Sequence, residues 1–162
     1  MQTAENSRGL IMGLLSKKKT IPTKIASETL DFILETCKSS YPNEFGGLLE
    51  AKGDVITDVL YLPGTEATEV SVRVHTYMMP NMSCAGSVHS HPSGAIRPSE
   101  ADLIFFRSGP VNIIVGSPYG RNDWKAFDPY GNEISIEVVD DELIDEDFDD
   151  FGDGTADDQE AE

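Results

Sequence analysis

The chain has 162 residues, of which 39% are hydrophobic, and this length suits one domain with a proper core better than two. Its net charge of −17 is uneven, because residues 140–162 hold 13 of the 29 acidic residues and no lysine or arginine. The first 139 residues carry 16 acidic and 12 basic residues, so the low pI is a property of the tail. The sequence has no basic stripe, so we do not expect nucleic acid as a partner. The acidic residues are concentrated in the tail, which does not indicate a surface adapted to high salt.

The N-terminal segment, residues 1–19, holds a short apolar run at 10–15, followed by three lysines at 17–19. A secretory signal has its positive charges before a longer apolar core, and six residues are too few to span a bilayer. We therefore expect this segment to be a flexible N-terminal arm or an extra helix that covers the domain, and we expect a cytoplasmic protein without membrane contact.

Regular structure of the α/β class is predicted after this arm. A helix is expected over residues 27–39, because Leu30, Ile33 and Cys37 share one apolar face, which also assigns Cys37 to the core. The remaining predicted elements are strands at 47–51, 55–62, 71–78 and 86–91, a helix that follows Ser99 to about residue 107, a central strand at 111–115, and a hairpin of 124–128 with 133–139.

The most distinctive stretch is His89-Ser90-His91-Pro92, which contains two of the three histidines. Side chains at i and i+2 of a strand share a face, so both imidazoles point in one direction, and Pro92 should end the strand. Asp102 then falls in the first turn of the next helix. Two imidazole nitrogens, one carboxylate and an open fourth position form the ligand set of a catalytic zinc.

Other readings of these residues remain open. Ser99-x-x-Asp102 is also a capping-box pattern that starts a helix without any metal. The third histidine, His75, has no second candidate ligand near it in the sequence and is interpreted as structural or exposed. A nucleophile system of Cys84, His89 and Asp102 is conceivable, but it leaves His91 without a role.

Glu44 lies in a predicted loop, Pro42-Asn-Glu-Phe-Gly-Gly47, between the first helix and a strand. Pro42 marks the turn, and the glycines allow a close approach of the backbone. A carboxylate here could be an ordinary solvated turn residue. Zinc hydrolysis, however, needs a base that is not itself a ligand, and Glu44 is a candidate for that base.

The order of these motifs resembles the signature of the JAMM (MPN-plus) metalloproteases, which is matched here by Glu44, His89-x-His91 and Ser99-x-x-Asp102. The likeness covers about residues 20–138. The resemblance implies one JAMM/MPN-like domain over residues 20–139, of the compact prokaryotic or archaeal type, with a mixed, curved β-sheet flanked by helices. It implies one Zn²⁺ held by His89, His91 and Asp102, with Glu44 as the general base and Ser99 steadying the oxyanion.

The resemblance also implies an activity, that of a zinc-dependent isopeptidase acting on ubiquitin-like β-grasp modifiers or their C-terminal Gly-Gly tails. Its expected partners are conjugates of such modifiers or of sulfur-carrier proteins. One alternative is a zinc hydrolase that releases cysteine or another small group from a sulfur carrier. Another is a non-catalytic assembly module with a structural zinc, which normally has four protein ligands and would need Cys84 as the fourth.

Residues 140–162 are predicted to form a disordered acidic tail, because they are dense in charge and poor in core-forming residues. A solubilising role is the favoured interpretation. Leu143, Ile144, Phe148 and Phe151 are interspersed among the acids and could instead form a short binding motif.

Overall fold

The structure, a computed structural model, describes residues 20–61, 84–140 and 142. Its elements, in chain order, are β1 (Lys24–Ala26), α1 (Ser27–Ser40), β2 (Gly46–Lys52), β3 (Val55–Tyr61), β4 (Cys84–His91), α2 (Glu100–Phe105), a 3₁₀ turn (Phe106–Ser108), β5 (Val111–Gly116), β6 (Trp124–Phe127), β7 (Glu133–Ile134) and β8 (Glu137–Val139). The predicted arm, the predicted strand 71–78 with His75, and all but two residues of the predicted tail lie outside the described residues.

The described strands form one mixed sheet in the order β7-β6-β5-β4-β2-β3-β1-β8. Strand β4 runs parallel to β5 and antiparallel to β2, so it lies near the middle of the sheet. At the other end, β1 is parallel to both β3 and β8. The expected mixed sheet is confirmed.

The sheet is strongly curved, as its connections require. Strands β7 and β8 lie at opposite edges, yet only Ser135 and Ile136 separate them in the chain. Eight flat strands would place the two edges about 34 Å apart, because neighbouring strands are about 4.8 Å apart. The connection from β7 to β8 spans only about 10 Å. The sheet must therefore curl until its two edges approach each other.

The prediction of one continuous strand over residues 133–139 is wrong, because these residues form two strands with different partners. Glu133 and Ile134 pair with β6 as the expected hairpin, whereas residues 137–139 cross to pair in parallel with β1. The polar-apolar pattern is compatible with either partner, and the closure of the sheet decides between them.

Helices cover both faces of the sheet. Ile113 and Val115 of β5 pack in the cluster that contains the buried face of α1, including Leu30, Ile33 and Cys37. Ile114 faces the other way, against Phe106 and Phe127. All six residues of β5 are buried, as expected for a central strand. No helix in the described ranges is long and apolar enough to cross a membrane.

The second helix ends earlier than predicted, at Phe105, and continues as a 3₁₀ turn. Gly109, which follows this turn, has an extended backbone with φ −175°. A glycine is needed here for space, since a Cβ atom would lie 2.5 Å from the Gly86 nitrogen. The segment after α2 therefore runs directly against the start of β4, and this contact places α2 beside the histidine pair.

Candidate metal centre

The two histidines of β4 converge through their Nε2 atoms, which are 3.0 Å apart. Both side chains are largely buried, with 11% of the His89 side chain and 14% of the His91 side chain exposed. The two-residue strand repeat puts them on the same face, as predicted. The strand lies between β2 and β5, so the backbone that carries both imidazoles is held from both sides.

Asp102 completes the cluster from the first turn of α2. Its Oδ1 atom lies 2.9 Å from His89 Nε2, and its Oδ2 atom lies 3.4 Å from His91 Nε2. Within the described part of the chain, these three residues are the one group that could hold a metal ion. The ligand atoms of a tetrahedral zinc site lie about 3.3 Å apart, because the bonds to the metal are about 2.0–2.1 Å long. The three side chains therefore fit zinc.

A backbone carbonyl fixes the ring of His91. Its Nδ1 atom lies 2.6 Å from the Ala95 oxygen, which can only accept a hydrogen bond. Nδ1 must therefore carry the hydrogen, and the lone pair of the neutral ring is on Nε2, where it faces the cluster. Gly94 makes the necessary turn with φ +81°. Sequence reasoning missed this contact, because a carbonyl has no signature and only the glycine hints at the turn.

The ring of His89 is oriented differently. Its Nδ1 atom is buried and has no hydrogen-bond partner among the described residues. The ring instead packs edge-on against Phe105, with the centroids 6.3 Å apart. Aromatic packing, together with the strand backbone, keeps this imidazole in place.

Ser99 and Asp102 form a full capping box at the start of α2. The Ser99 hydroxyl accepts the Asp102 N–H over 3.2 Å, and the Ser99 N–H donates to Asp102 Oδ2 over 2.6 Å. The capping interpretation of this pair is thus correct, and it coexists with the metal interpretation, because Oδ1 and Oδ2 still face the imidazoles. The hydrogen of the Ser99 hydroxyl is not used in this bond.

The carboxyl of Asp102 has a strongly shifted pKa. Burial raises it, but hydrogen bonds with His89 and the Ser99 N–H, together with the charge of His89, outweigh burial and hold the pKa well below its usual range. The group is therefore ionised at neutral pH, as a metal ligand must be.

Glu44 lies in the same open cleft as His89 and Asp102, a cavity of about 1000 Å³. The antiparallel register pairs Gly46 with His89, and continuing it by two residues places Glu44 opposite His91. Opposed residues share a face of a sheet, so the exposed carboxylate belongs on the side of the imidazoles. The neighbouring Phe45 is buried and stacks on Tyr61, with the ring centroids 5.5 Å apart.

Neither cysteine joins the cluster. Cys84 lies five residues before His89, which is about 16 Å along a strand, and its thiol donates to the Gly86 carbonyl over 3.5 Å. Cys37 is fully buried against the sheet, as predicted. Burial raises the pKa of its thiol to about 12, which makes it a poor nucleophile at neutral pH.

Comparisons with known proteins show which family the chain resembles. Residues 26–127 match the family described as prokaryotic homologs of the JAB domain. A probable metalloprotease of Haloferax volcanii is 46% identical in an alignment of 150 positions that covers 85% of this chain and 91% of that protein. The structure of a JAB1/MPN domain protein from Archaeoglobus fulgidus has 39% identity and a TM-score of 0.61, covering 72% of this chain and 99% of that one. A structure described as a JAMM metalloprotease-like zinc site in the proteasome and signalosome has 39% identity and a TM-score of 0.60, covering 74% and 99%.

Proposed function

Since the chain belongs to the prokaryotic branch of the JAB/JAMM metalloprotease family and takes one zinc ion as its cofactor, we propose that it is an isopeptidase. Its substrates in this proposal are conjugates of ubiquitin-like β-grasp proteins, cleaved after a C-terminal Gly-Gly, or precursors with such a tail.

The observation that carries the proposal is the convergence of His89, His91 and Asp102 at a cleft. His89 and Asp102 line this cleft together with Glu44. The three converging residues are the metal ligands. Because the described residues supply three protein ligands, one coordination position stays open for substrate or water, as in catalytic zinc sites. The zinc, when bound, supplies Lewis acidity that activates water and polarises a peptide carbonyl.

Glu44 is the general base. An exposed carboxylate beside the ligands, not bound in the cluster itself, takes the proton from the attacking water and delivers it to the leaving lysine amine. Such proton transfer contributes typically about 10²–10⁴-fold to the rate. The Ser99 hydroxyl accepts the capping bond through its oxygen, so its hydrogen can be donated. It donates this hydrogen to the oxygen of the scissile carbonyl as negative charge develops there.

The shape and the lining of the cleft suit an extended tail. The cleft is open to solvent, and Gly46 lies in its wall, directly opposite His89 in the strand register. A glycine wall lets a second backbone approach closely, and small Gly-Gly residues can pass where larger side chains would not. Tyr61 and Phe105 contribute aromatic surface to the lining.

The alternative of a structural zinc is less well supported, because the described residues offer no fourth ligand and Cys84 is far along the strand. Release of a small group from a sulfur carrier has no observation of its own in its favour.

The test is incubation of the zinc-loaded protein with isopeptide-linked β-grasp conjugates, linear fusions and sulfur carriers bearing a small group. We expect cleavage after Gly-Gly by the wild type, and bound zinc without turnover in Glu44→Gln. The control Glu50→Gln changes an acidic residue of β2, the strand that follows the Glu44 loop, at a position outside the cleft lining, and should behave as the wild type. No cleavage of any conjugate by fully zinc-loaded protein would overturn the proposal, and exclusive release of the small group would replace it with the sulfur-carrier alternative.

A further inference from the structure

Helix α2 carries Asp102 but has little packing of its own. It is six residues long, and none of its residues is buried. Leu103 is only partly buried, at the margin of the cluster around Phe106. Phe105, its last residue, is partly buried against Leu48 and the ring of His89. A helix this short is marginal without tertiary support, so its position depends on what holds its ends. The capping box at Ser99 lies within the helix start itself and does not attach it to the sheet.

Asn112 attaches the other end. It lies on β5 and is fully buried, and its Nδ2 group donates to the carbonyls of Phe106 and Gly109, both over 3.1 Å. Phe106 is the first residue of the 3₁₀ turn that directly follows α2, and Gly109 is the residue after this turn. One side chain of the sheet thus holds both ends of this turn.

Ser87 holds Asn112 in turn. Its hydroxyl donates to Asn112 Oδ1 over 2.6 Å, so the oxygen and both hydrogens of the amide are engaged. Ser87 pairs with Asn112 in the strand register and lies on β4, two residues before His89. The strand that carries the histidines is therefore connected, through two buried side chains, to the segment that ends the helix of Asp102.

We propose that Asn112 and Ser87 are positioning residues that set the zinc affinity of the site by holding Asp102 against the histidine pair. This inference rests on the proposed ligand set. Zinc requires its ligand atoms within a few tenths of an ångström, and supporting hydrogen bonds commonly change metal affinity by about 10–100-fold. Without the connection, metal binding has to order α2 as well as fill the site.

The experiment measures the zinc dissociation constant by competition with a chromophoric chelator, at a temperature where every variant is folded. Asn112→Leu, which keeps the approximate volume, should weaken zinc binding about tenfold. Ser87→Ala should weaken it about threefold, since Asn112 keeps its two donated bonds. Ser87→Thr restores a hydroxyl and should return the affinity to that of the wild type.

The matched control is Thr29→Val, since the Thr29 hydroxyl makes a comparable bond, over 2.7 Å, to the Thr57 carbonyl between α1 and β3. It should lower the melting temperature and leave zinc affinity unchanged. The ligand-field absorption of the Co²⁺-substituted protein, which reports the ligand geometry, should change in Asn112→Leu and not in Thr29→Val.

Wild-type zinc affinity in folded Asn112→Leu would overturn the inference. Should that variant fail to fold, wild-type affinity in Ser87→Ala would overturn it instead. Both measurements use no substrate, so they are independent of cleavage: a failure here leaves the proposed isopeptidase intact, and an inactive wild type leaves the zinc measurement interpretable.

Discussion

Ser90 and Phe45 hold each other through two hydrogen bonds, in which the Phe45 N–H donates to the Ser90 hydroxyl over 2.8 Å and the Ser90 N–H donates to the Phe45 carbonyl over 2.9 Å. Ser90 stands between His89 and His91 and is fully buried. Phe45 directly follows Glu44. The pair therefore joins the strand of the candidate ligands to the loop of the candidate base.

Ser90→Ala should keep zinc and reduce kcat. The variant leaves the buried Phe45 N–H without an acceptor, at a cost of about 1–3 kcal/mol, and so loosens the loop that carries Glu44. Zinc stoichiometry, kcat and amide exchange over residues 43–46 are the measurements. Ser90→Thr, which retains the hydroxyl, is the control and should restore exchange protection. Unchanged protection and unchanged kcat in Ser90→Ala would contradict the predicted role.

The double variant His89→Ala/His91→Ala should lose most of its zinc, because a single carboxylate with water holds the metal poorly. Metal analysis after dialysis against buffer with trace zinc gives the result. His75→Ala changes the remaining histidine of the chain and should keep full occupancy. Full zinc occupancy in the double variant would show that the metal is bound elsewhere.

Ser99→Ala separates the two roles of its hydroxyl. Loss of the cap should cost about 1 kcal/mol of stability. Loss of an oxyanion donor should lower kcat by about 10–10³-fold, by analogy with other such donors. The Ser99 backbone N–H still donates to Asp102, so zinc should be retained. A lowered melting temperature with unchanged kcat would leave only the capping role.

Cys37 should make the stability of the protein fall at alkaline pH. Burial raises the pKa of its thiol to about 12 in the folded state, compared with about 8.5 in the unfolded chain. The resulting stabilisation is complete below the unfolded pKa and is lost as the pH rises towards the folded pKa. Unfolding by urea at several pH values should show this loss in the wild type and a flatter profile in Cys37→Ala. Parallel profiles for the two proteins would contradict the prediction, as would alkylation of native Cys37 by iodoacetamide at pH 8.

Truncation after Val139 should leave a folded protein that binds zinc and cleaves its conjugates at a similar rate. The cut keeps β8, in which Val139 pairs with Ala26 of β1. Truncation after Ser135 is the matched variant, and it should lower the melting temperature because it removes β8 from the edge of the sheet. If the chain ending at Val139 failed to fold, the segment beyond it would belong to the domain.

Local patterns in the sequence were sufficient for the elements with a clear period and for part of the site. The apolar face of α1 and the continuous apolar run of β5 predict a helix and a central strand, because their burial repeats along the chain itself. His89 and His91 share a face through the two-residue strand repeat. Asp102 falls in a first helical turn through the spacing from Ser99.

The tertiary structure alone decided the relationships between distant segments. It brought Glu44 into the cleft of His89, directed the Ala95 carbonyl onto the ring of His91, and placed Asn112 beneath the turn after α2. It also moved residues 137–139 to the far edge of the sheet. In each of these contacts, the local sequence pattern of a segment is compatible with packing against several other segments. The observed contacts are selected by the curling of one sheet around its core, and this curling is a property of the whole chain.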